Sequence, residues 1–249
     1  MEQNKQIIKG DAIQEMQKLS DKSVEMILCD LPYGMTANNW DSIIPLDEMW
    51  NQFKRLLKPK GCVVLTGMQP FTSRLVMSNI KWFKYEAIWK KQHATGHLNA
   101  KKQVMRIHEN ILIFSDGQGI YNPQKMGTTA KRRNTNRATT KSTNYGLPEK
   151  YYFEFSNGKA YPKSIIAYGS DKEKYHPTQK PVNLFKYLIE TYSNEGDTVL
   201  DCCIGSGTTA IACIRTDRKC IGIEKEQKYI DITNKRIEEE NVAFGRGGA

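Results

Sequence analysis

The chain has 249 residues, enough for one well-cored α/β domain with an insertion rather than two full domains. Hydrophobic residues make up 39% and charged residues 26%, a globular composition that excludes a disordered chain. Apolar runs are only a few residues long, so no membrane span is expected, and a net charge of +10 points to an anionic partner.

Met1-Glu2-Gln3-Asn4-Lys5 lacks the apolar core of a signal peptide, so a soluble, cytoplasmic protein is expected. Gln6-Ile7-Ile8-Lys9 reads as a short strand closed by Gly10-Asp11. Ile13, Met16 and Leu19 at helical spacing then predict an amphipathic helix. Val24 to Cys29 is a mostly apolar strand, broken by Pro32 and Gly34. Leu46 to Leu57 reads as a helix stopped at Pro59-Lys60-Gly61, and Cys62 to Thr66 as a buried strand. Two further strands are expected at Tyr85–Trp89 and Asn110–Phe114.

From Ser115 to about Tyr161 the pattern breaks, and residues 117–161 read as an insertion. Residues 117–148 contain no acid, yet carry Lys125, Lys131, Arg132, Arg133, Arg137 and Lys141. Beyond it, Pro181 fits the first turn of a helix whose apolar face is Val182, Phe185, Leu188, Ile189 and Tyr192. Thr198-Val199-Leu200 is a strand, Thr209 to Ile214 a helix, and Cys220 to Ile223 a last strand ending at Glu224. Residues 245–249 read as a frayed tail. This alternation predicts a doubly wound, mainly parallel α/β sheet.

The six cysteines sit mostly in apolar runs without Cys-x-x-Cys spacing, so buried free thiols are expected rather than zinc or disulfides. His93 and His97 are four apart but lack a carboxylate at suitable spacing. A loop position is expected for them, and no metal.

Two runs carry chemistry. In Asp201-Cys202-Cys203-Ile204-Gly205-Ser206-Gly207-Thr208-Thr209 the glycines allow a sharp turn and close backbone approach, while Thr208 and Thr209 amides at a helix start can donate. Glu224, one strand on, suits a ribose diol. There is no Gly-x-Gly-x-x-Gly and no Gly-Lys-Ser/Thr, and an acid before the loop suits a cationic cofactor without phosphates, such as S-adenosyl-L-methionine. Taken alone, the loop also fits a turn without a ligand.

The second run is Asp30-Leu31-Pro32-Tyr33. Asp30 at a strand end can accept one N–H, and Leu31, held extended by the following proline, can present its carbonyl to another. Two acceptors match the two hydrogens of an exocyclic amine, whose lone pair is otherwise delocalised into its ring. Tyr33 offers a flat face for a base, worth about 1–3 kcal/mol. By itself the run also fits a strand ending in a tight turn with a buried tyrosine.

With His176-Pro177-Thr178-Gln179-Lys180-Pro181 upstream of the glycine loop, the chain resembles the beta-class amino-methyltransferases of DNA from about Ile8 to Arg236. Their catalytic run is Asp-Pro-Pro-Tyr or Ser-Pro-Pro-Tyr, and their loop is typically Asp-Pro-Phe-x-Gly-Ser-Gly-Thr-Thr. The resemblance implies a Rossmann-like, circularly permuted class I methyltransferase fold with a target-recognition insertion, and S-adenosyl-L-methionine as cofactor. It assigns Asp30, Leu31, Pro32 and Tyr33 to the target base, with Asp30 also facing the cofactor. Asp11 would lie near the cofactor adenine; Asp201, Gly205, Gly207 and Thr208 around its methionine and ribose; Glu224 at the ribose hydroxyls; His176, Thr178 and Lys180 at the methionine end. Leu31 replaces the first proline and Cys202-Cys203 replaces Pro-Phe.

Asp opening the catalytic run favours the N6 amine of adenine in double-stranded DNA, reached by base flipping. N4-cytosine methylation uses the same physics. The same sequence would also suit a non-catalytic DNA-binding module or a methyltransferase of protein or RNA. Carbon-5 cytosine chemistry needs a cysteine normally preceded by proline, and no Pro-Cys pair occurs. The basic insertion would hold phosphates, with Arg133, Asn134 and Asn136 as base readers. The aromatic run Tyr151 to Phe155 beside it reads as core, with stacking or wedging against DNA as the alternative. A homodimer rests on the resemblance alone.

Overall fold

The structure, a computed structural model, describes residues 5–34, 42–127, 159–176 and 178–245. The chain divides into two compact units, Met1–Asn122 with Ser164–Ala249, and Pro123–Lys163. In the smaller unit β6 (Met126–Gly127) pairs antiparallel with β7 (Lys159–Ala160), and Lys125 Nζ lies 4.8 Å from the Tyr161 ring centroid. Lys131, Arg132, Arg133, Asn134, Asn136, Arg137, Lys141 and Tyr151 to Phe155 fall outside the described residues.

The larger unit is built on β1 (Lys5–Lys9), β2 (Val24–Cys29), β3 (Leu57–Gly67), β4 (Phe83–Thr95), β5 (Arg106–Phe114), β8 (Ile165–Ala167), β9 (Thr198–Asp201) and β10 (Lys219–Glu224). They form one sheet in the order β1-β10-β9-β2-β3-β5-β4-β8, parallel from β1 through β3 and again between β4 and β8, with β5 antiparallel to both its neighbours. The first strand therefore pairs with the last, so the segments between them return to the sheet's centre.

Helices cover both faces, which is why the central strands are apolar on both sides. On one face Met26, Leu28, Val64, Ile111 and Ile113 pack with α4 (Val182–Tyr192) and α5 (Thr208–Ile214). On the other, Ile27, Cys29, Val63, Leu65, Leu112 and Phe114 pack with α1 (Ala12–Lys18), α2 (Leu46–Leu56) and α3 (Phe71–Ser78). α6 (Gln227–Gly245) closes the chain. Among the described residues no helix is long and apolar enough to cross a membrane.

Several local expectations shift. α2 ends at Leu56, and Pro59-Lys60-Gly61 lies inside β3 rather than before it, because Lys60 takes a left-handed φ of 66° and the register with β2 slips between Val24 and Met26. Pro181 caps α4 instead of filling its first turn. β4 and β5 extend beyond the apolar segments that announced them, since their outer residues project past the core. α3 and β8 have no counterpart in the sequence pattern. Residues 117–122, read as the start of the insertion, run in the larger unit, where Ile120 N donates to Lys60 O (2.9 Å) and Asn122 N to Thr191 O (2.7 Å).

All five parallel strands from β1 to β3 end on one edge of the sheet. Asp11 follows β1, Glu224 ends β10, Asp201 ends β9, Asp30 follows β2 and Gly67 ends β3. In open α/β sheets this carboxyl edge is where ligands bind.

Candidate active site

Asp30 is the best-connected acid on that edge. Its Oδ1 accepts from Tyr33 OH (2.5 Å) and from Thr66 Oγ1 (2.5 Å), and its Oδ2 from Lys180 Nζ (2.7 Å). These partners come from the loop after β2, from β3 and from the segment before α4. Burial, followed by the Asp30 charge, pushes the Tyr33 hydroxyl well above its ordinary range, so the phenol stays protonated and donates. The Tyr33 ring lies 5.3 Å from that of Phe71. Leu31 is 3% exposed within the core, so this run is pinned by a buried side chain where a first proline would have stiffened it.

The glycine loop meets this cluster because β9 pairs with β2, Leu200 opposite Ile27. Cys29 Sγ and Cys202 Sγ are 3.6 Å apart just beyond that register. Gly205 and Gly207 both take left-handed φ, +53° and +86°. A Cβ on Gly207 would fall 2.7 Å from Thr233 Cγ2, whereas one on Gly205 would meet only Cys203 O at 3.9 Å. Gly207 is thus a packing requirement of α6, and Gly205 leaves open space against the loop backbone.

Glu224 faces that space. Its Oε2 accepts from Gly205 N (3.0 Å) and its Oε1 from Lys225 N and Glu226 N (2.8 Å each), which fixes the carboxylate and leaves one acceptor site, on Oε2. Asp11 stands across the edge, since Gly10 N donates to Glu224 O (3.0 Å), and its Oδ1 caps α1 by accepting from Ile13 N (3.0 Å). Asp201 is turned inward. Its Oδ1 accepts from Cys203 N (3.0 Å) and its Oδ2 from Thr209 Oγ1, and burial pushes its carboxyl up to about 7. It braces the loop from within.

The segment before α4 joins the two runs. Thr208 Oγ1 donates to Lys180 O (3.3 Å) while the Lys180 ammonium reaches Asp30. His176 Nδ1 accepts from Thr178 N (3.2 Å), and burial lowers the ring's pKa, with Lys180 and Lys228 adding and Asp30 opposing. The neutral ring sits 4.6 Å from Tyr229 of α6. Sequence reasoning missed Thr66, Lys91 and Glu109 around Asp30, and Thr233 and Arg236 behind the loop. Thr233 Oγ1 donates to Gly205 O (2.9 Å) and Arg236 Nη1 to Ser206 O.

A family model described as DNA methylase matches residues 24–235. The chain belongs to the DNA methylase family. Its relatives include the Type II methyltransferase M.HpaI of Haemophilus parainfluenzae, 26% identical over 97% of this chain and 76% of that protein. The DNA adenine methyltransferase YhdJ of Escherichia coli (strain K12) is 29% identical over 94% and 83%. Among solved structures, the M1.HpyAVI–SAM complex superposes with a TM-score of 0.64 at 25% identity, covering 93% of this chain and 99% of that one. PvuII DNA methyltransferase (cytosine-N4-specific) shares the fold, with a TM-score of 0.68 at 16% identity over 98% and 92%.

For a DNA methylase the edge is chemically coherent. The fixed Glu224 carboxylate, the open backbone at Gly205 and the acids Asp11 and Asp30 suit a ribosyl, sulfonium-bearing cofactor, so the residues fit S-adenosyl-L-methionine. Burial pushes the Cys29 thiol up to about 12, which keeps it protonated and unsuited to nucleophilic attack on a base. Among the described residues no group of three or more His, Cys, Asp or Glu is placed to hold a metal; His93 ends up in β4 and His97 in a separate 3-10 turn.

Proposed function

We propose that this chain methylates the N6 amine of adenine in double-stranded DNA, with S-adenosyl-L-methionine as donor. The observation that carries the reading is the Asp30 carboxylate, fixed by Tyr33, Thr66 and Lys180 beside the glycine loop. When bound, the cofactor supplies an electrophilic methyl group on a sulfonium. Glu224 and Asp11 would hold its nucleoside end, and the loop from Gly205 to Thr208 its remainder, with His176, Thr178 and Lys180 on the methionine side. Asp30 and the Leu31 carbonyl accept the two N–H groups of the flipped adenine, and Tyr33 stacks on its ring. Those hydrogen bonds move electron density onto the nitrogen, which is the effect catalysis requires. Asp30 then takes the surplus proton as the methylated amine returns to neutrality.

Two surfaces support a DNA partner. One is the basic insertion, in which Lys125 is described and Lys131, Arg132, Arg133, Arg137 and Lys141 are not. The other is the β4–β5 hairpin, where residues 90–108 hold no acid but carry exposed Lys90, Lys101 and Lys102 beside Arg106. The hairpin starts at the carboxyl edge of the parallel strands, because Asn110 of β5 pairs with Gly67 at the end of β3.

Asp30→Ala tests the reading. It should abolish methylation while calorimetry still detects S-adenosyl-L-methionine binding, and full activity in the variant would remove Asp30 from the reaction. Mass spectrometry of product nucleosides should show N6-methyladenine; N4-methylcytosine alone would overturn the adenine assignment.

A further inference from the structure

The geometry points to Glu109 as a positioning residue that sets where Lys180 stands on Asp30 and so keeps one acceptor site of Asp30 open for the target amine. The inference rests on the reaction proposed above. An ionised carboxylate offers about four lone-pair sites. On Asp30, Tyr33 and Thr66 take the two of Oδ1 and Lys180 takes one of Oδ2. One site, on Oδ2, remains, and the lateral position of the Lys180 ammonium decides whether an amine can reach it.

Glu109 is built to decide that position. Its Oε2 lies 3.2 Å from Lys180 Nζ, an ion-pair distance without hydrogen-bonding geometry, and is otherwise a buried acceptor with no hydrogen-bond partner. Its Oε1 is tied to Lys91 Nζ of β4 at 2.6 Å. Glu109 and Lys180 side chains are each 7% exposed, so their attraction is little screened by solvent. Lys180 is therefore drawn toward two carboxylates at once, 2.7 Å from Asp30 Oδ2 and 3.2 Å from Glu109 Oε2, which holds its ammonium to the Glu109 side of Asp30. Burial alone would lower the Lys180 pKa, yet the Asp30 and Glu109 carboxylates raise it well above the ordinary lysine range, which keeps the ammonium charged. If Glu109 lost its charge, the Lys180 ammonium would lose that sideways restraint and could swing across Oδ2 to cover the last site.

The test is kcat on a cognate duplex with S-adenosyl-L-methionine saturating, alongside dissociation constants for cofactor and duplex. Glu109→Gln should lower kcat by about tenfold or more while both dissociation constants stay within about threefold. In a Lys180→Met background the same change should alter kcat by less than about twofold, because Glu109 acts only through Lys180. Glu109→Asp keeps the charge and should recover part of the lost kcat; it also serves if Glu109→Gln does not fold, lowering kcat with unchanged binding. An E109Q or folded E109D enzyme with wild-type kcat, or E109Q losses that multiply in the double variant, would overturn the inference. An inert wild-type protein would sink the reaction itself and this inference with it, whereas an active wild type beside a fully active E109Q sinks the inference alone.

Discussion

Lys180→Met removes the one cation placed between two carboxylates, Asp30 Oδ2 at 2.7 Å and Glu109 Oε2 at 3.2 Å. The Asp30 side chain is 23% exposed and that of Glu109 7%, so solvent compensates neither fully. Removing one partner of a buried ion pair costs about 3–5 kcal/mol when the remaining charge is left unpaired. Glu109 keeps Lys91 at 2.6 Å and Asp30 keeps Tyr33 and Thr66, so the lower end, about 3 kcal/mol, is expected. For a chain of this size that corresponds to a Tm drop of roughly 6–12 °C. The sign of the pH dependence follows from linkage. In the wild type the Lys180 pKa is raised, so its contribution is complete below the unfolded lysine value and is lost only as pH climbs through the folded one. In the variant that contribution is absent, so the deficit should be flat near neutrality and shrink only as pH climbs past the unfolded lysine value of about 10.4. Thermal denaturation of both proteins from neutrality to beyond that value measures it. A deficit below about 1 kcal/mol near neutrality, or one that does not shrink in alkali, would refute the reading of Lys180 as the keystone of a buried charge cluster.

Asp201 has a raised folded pKa, so it contributes stability that is complete below its unfolded value and is lost as pH rises through about 7. Asp201→Asn should therefore show its largest destabilisation in acid and a narrowing deficit toward pH of about 8, read from denaturation midpoints. Gly207→Ala combines a left-handed φ, costing about 1–2 kcal/mol for an L-residue, with a Cβ pushed against Thr233, and should weaken cofactor binding by calorimetry. Gly117→Ala, at φ +76° with nothing within 4 Å, should carry only the backbone cost and bind cofactor normally. Charge reversal at Lys101 and Lys102 should weaken duplex binding and flatten its salt dependence by about one unit per lost phosphate contact, with cofactor affinity unchanged.

The strands of the carboxyl edge were legible because each is an apolar run ended by a glycine, proline or acid, and parallel pairing leaves those ends together. Chain order was no obstacle: β2 and β9 lie far apart in sequence, yet both are short, apolar on both faces and so confined to the centre of a sheet. The sequence could not show α3, whose short apolar face of Phe71, Thr72 and Leu75 lacks a capping side chain, nor β8, a three-residue edge strand. The site residues it missed share one trait. Thr66, Glu109, Thr233 and Arg236 act on the motifs from other elements, through contacts that depend on tertiary packing and leave no spacing to read. Asp201 shows the converse: its place in the motif was plain, but that its carboxylate points into the loop required coordinates.

The two departures from the family pattern meet in a single structural solution. Leu31, Cys29 and Cys202 belong to one buried cluster at the point where β2 and β9 end. Full burial of a leucine contributes about 1.5–3 kcal/mol, and that side chain anchors the run after Asp30, while Pro32 keeps Leu31 extended. Cysteine at 202 is small enough for its sulfur to sit 3.6 Å from that of Cys29, and Cys202 N donates to Cys29 Sγ at 3.3 Å. The strand ends are thus drawn together by compact, apolar, hydrogen-bonded contacts where the family pattern has proline and phenylalanine. What the replacements leave in place is the pairing of β2 with β9, which sets Asp30 and the glycine loop at neighbouring strand ends, the proximity that transfer between two bound partners requires.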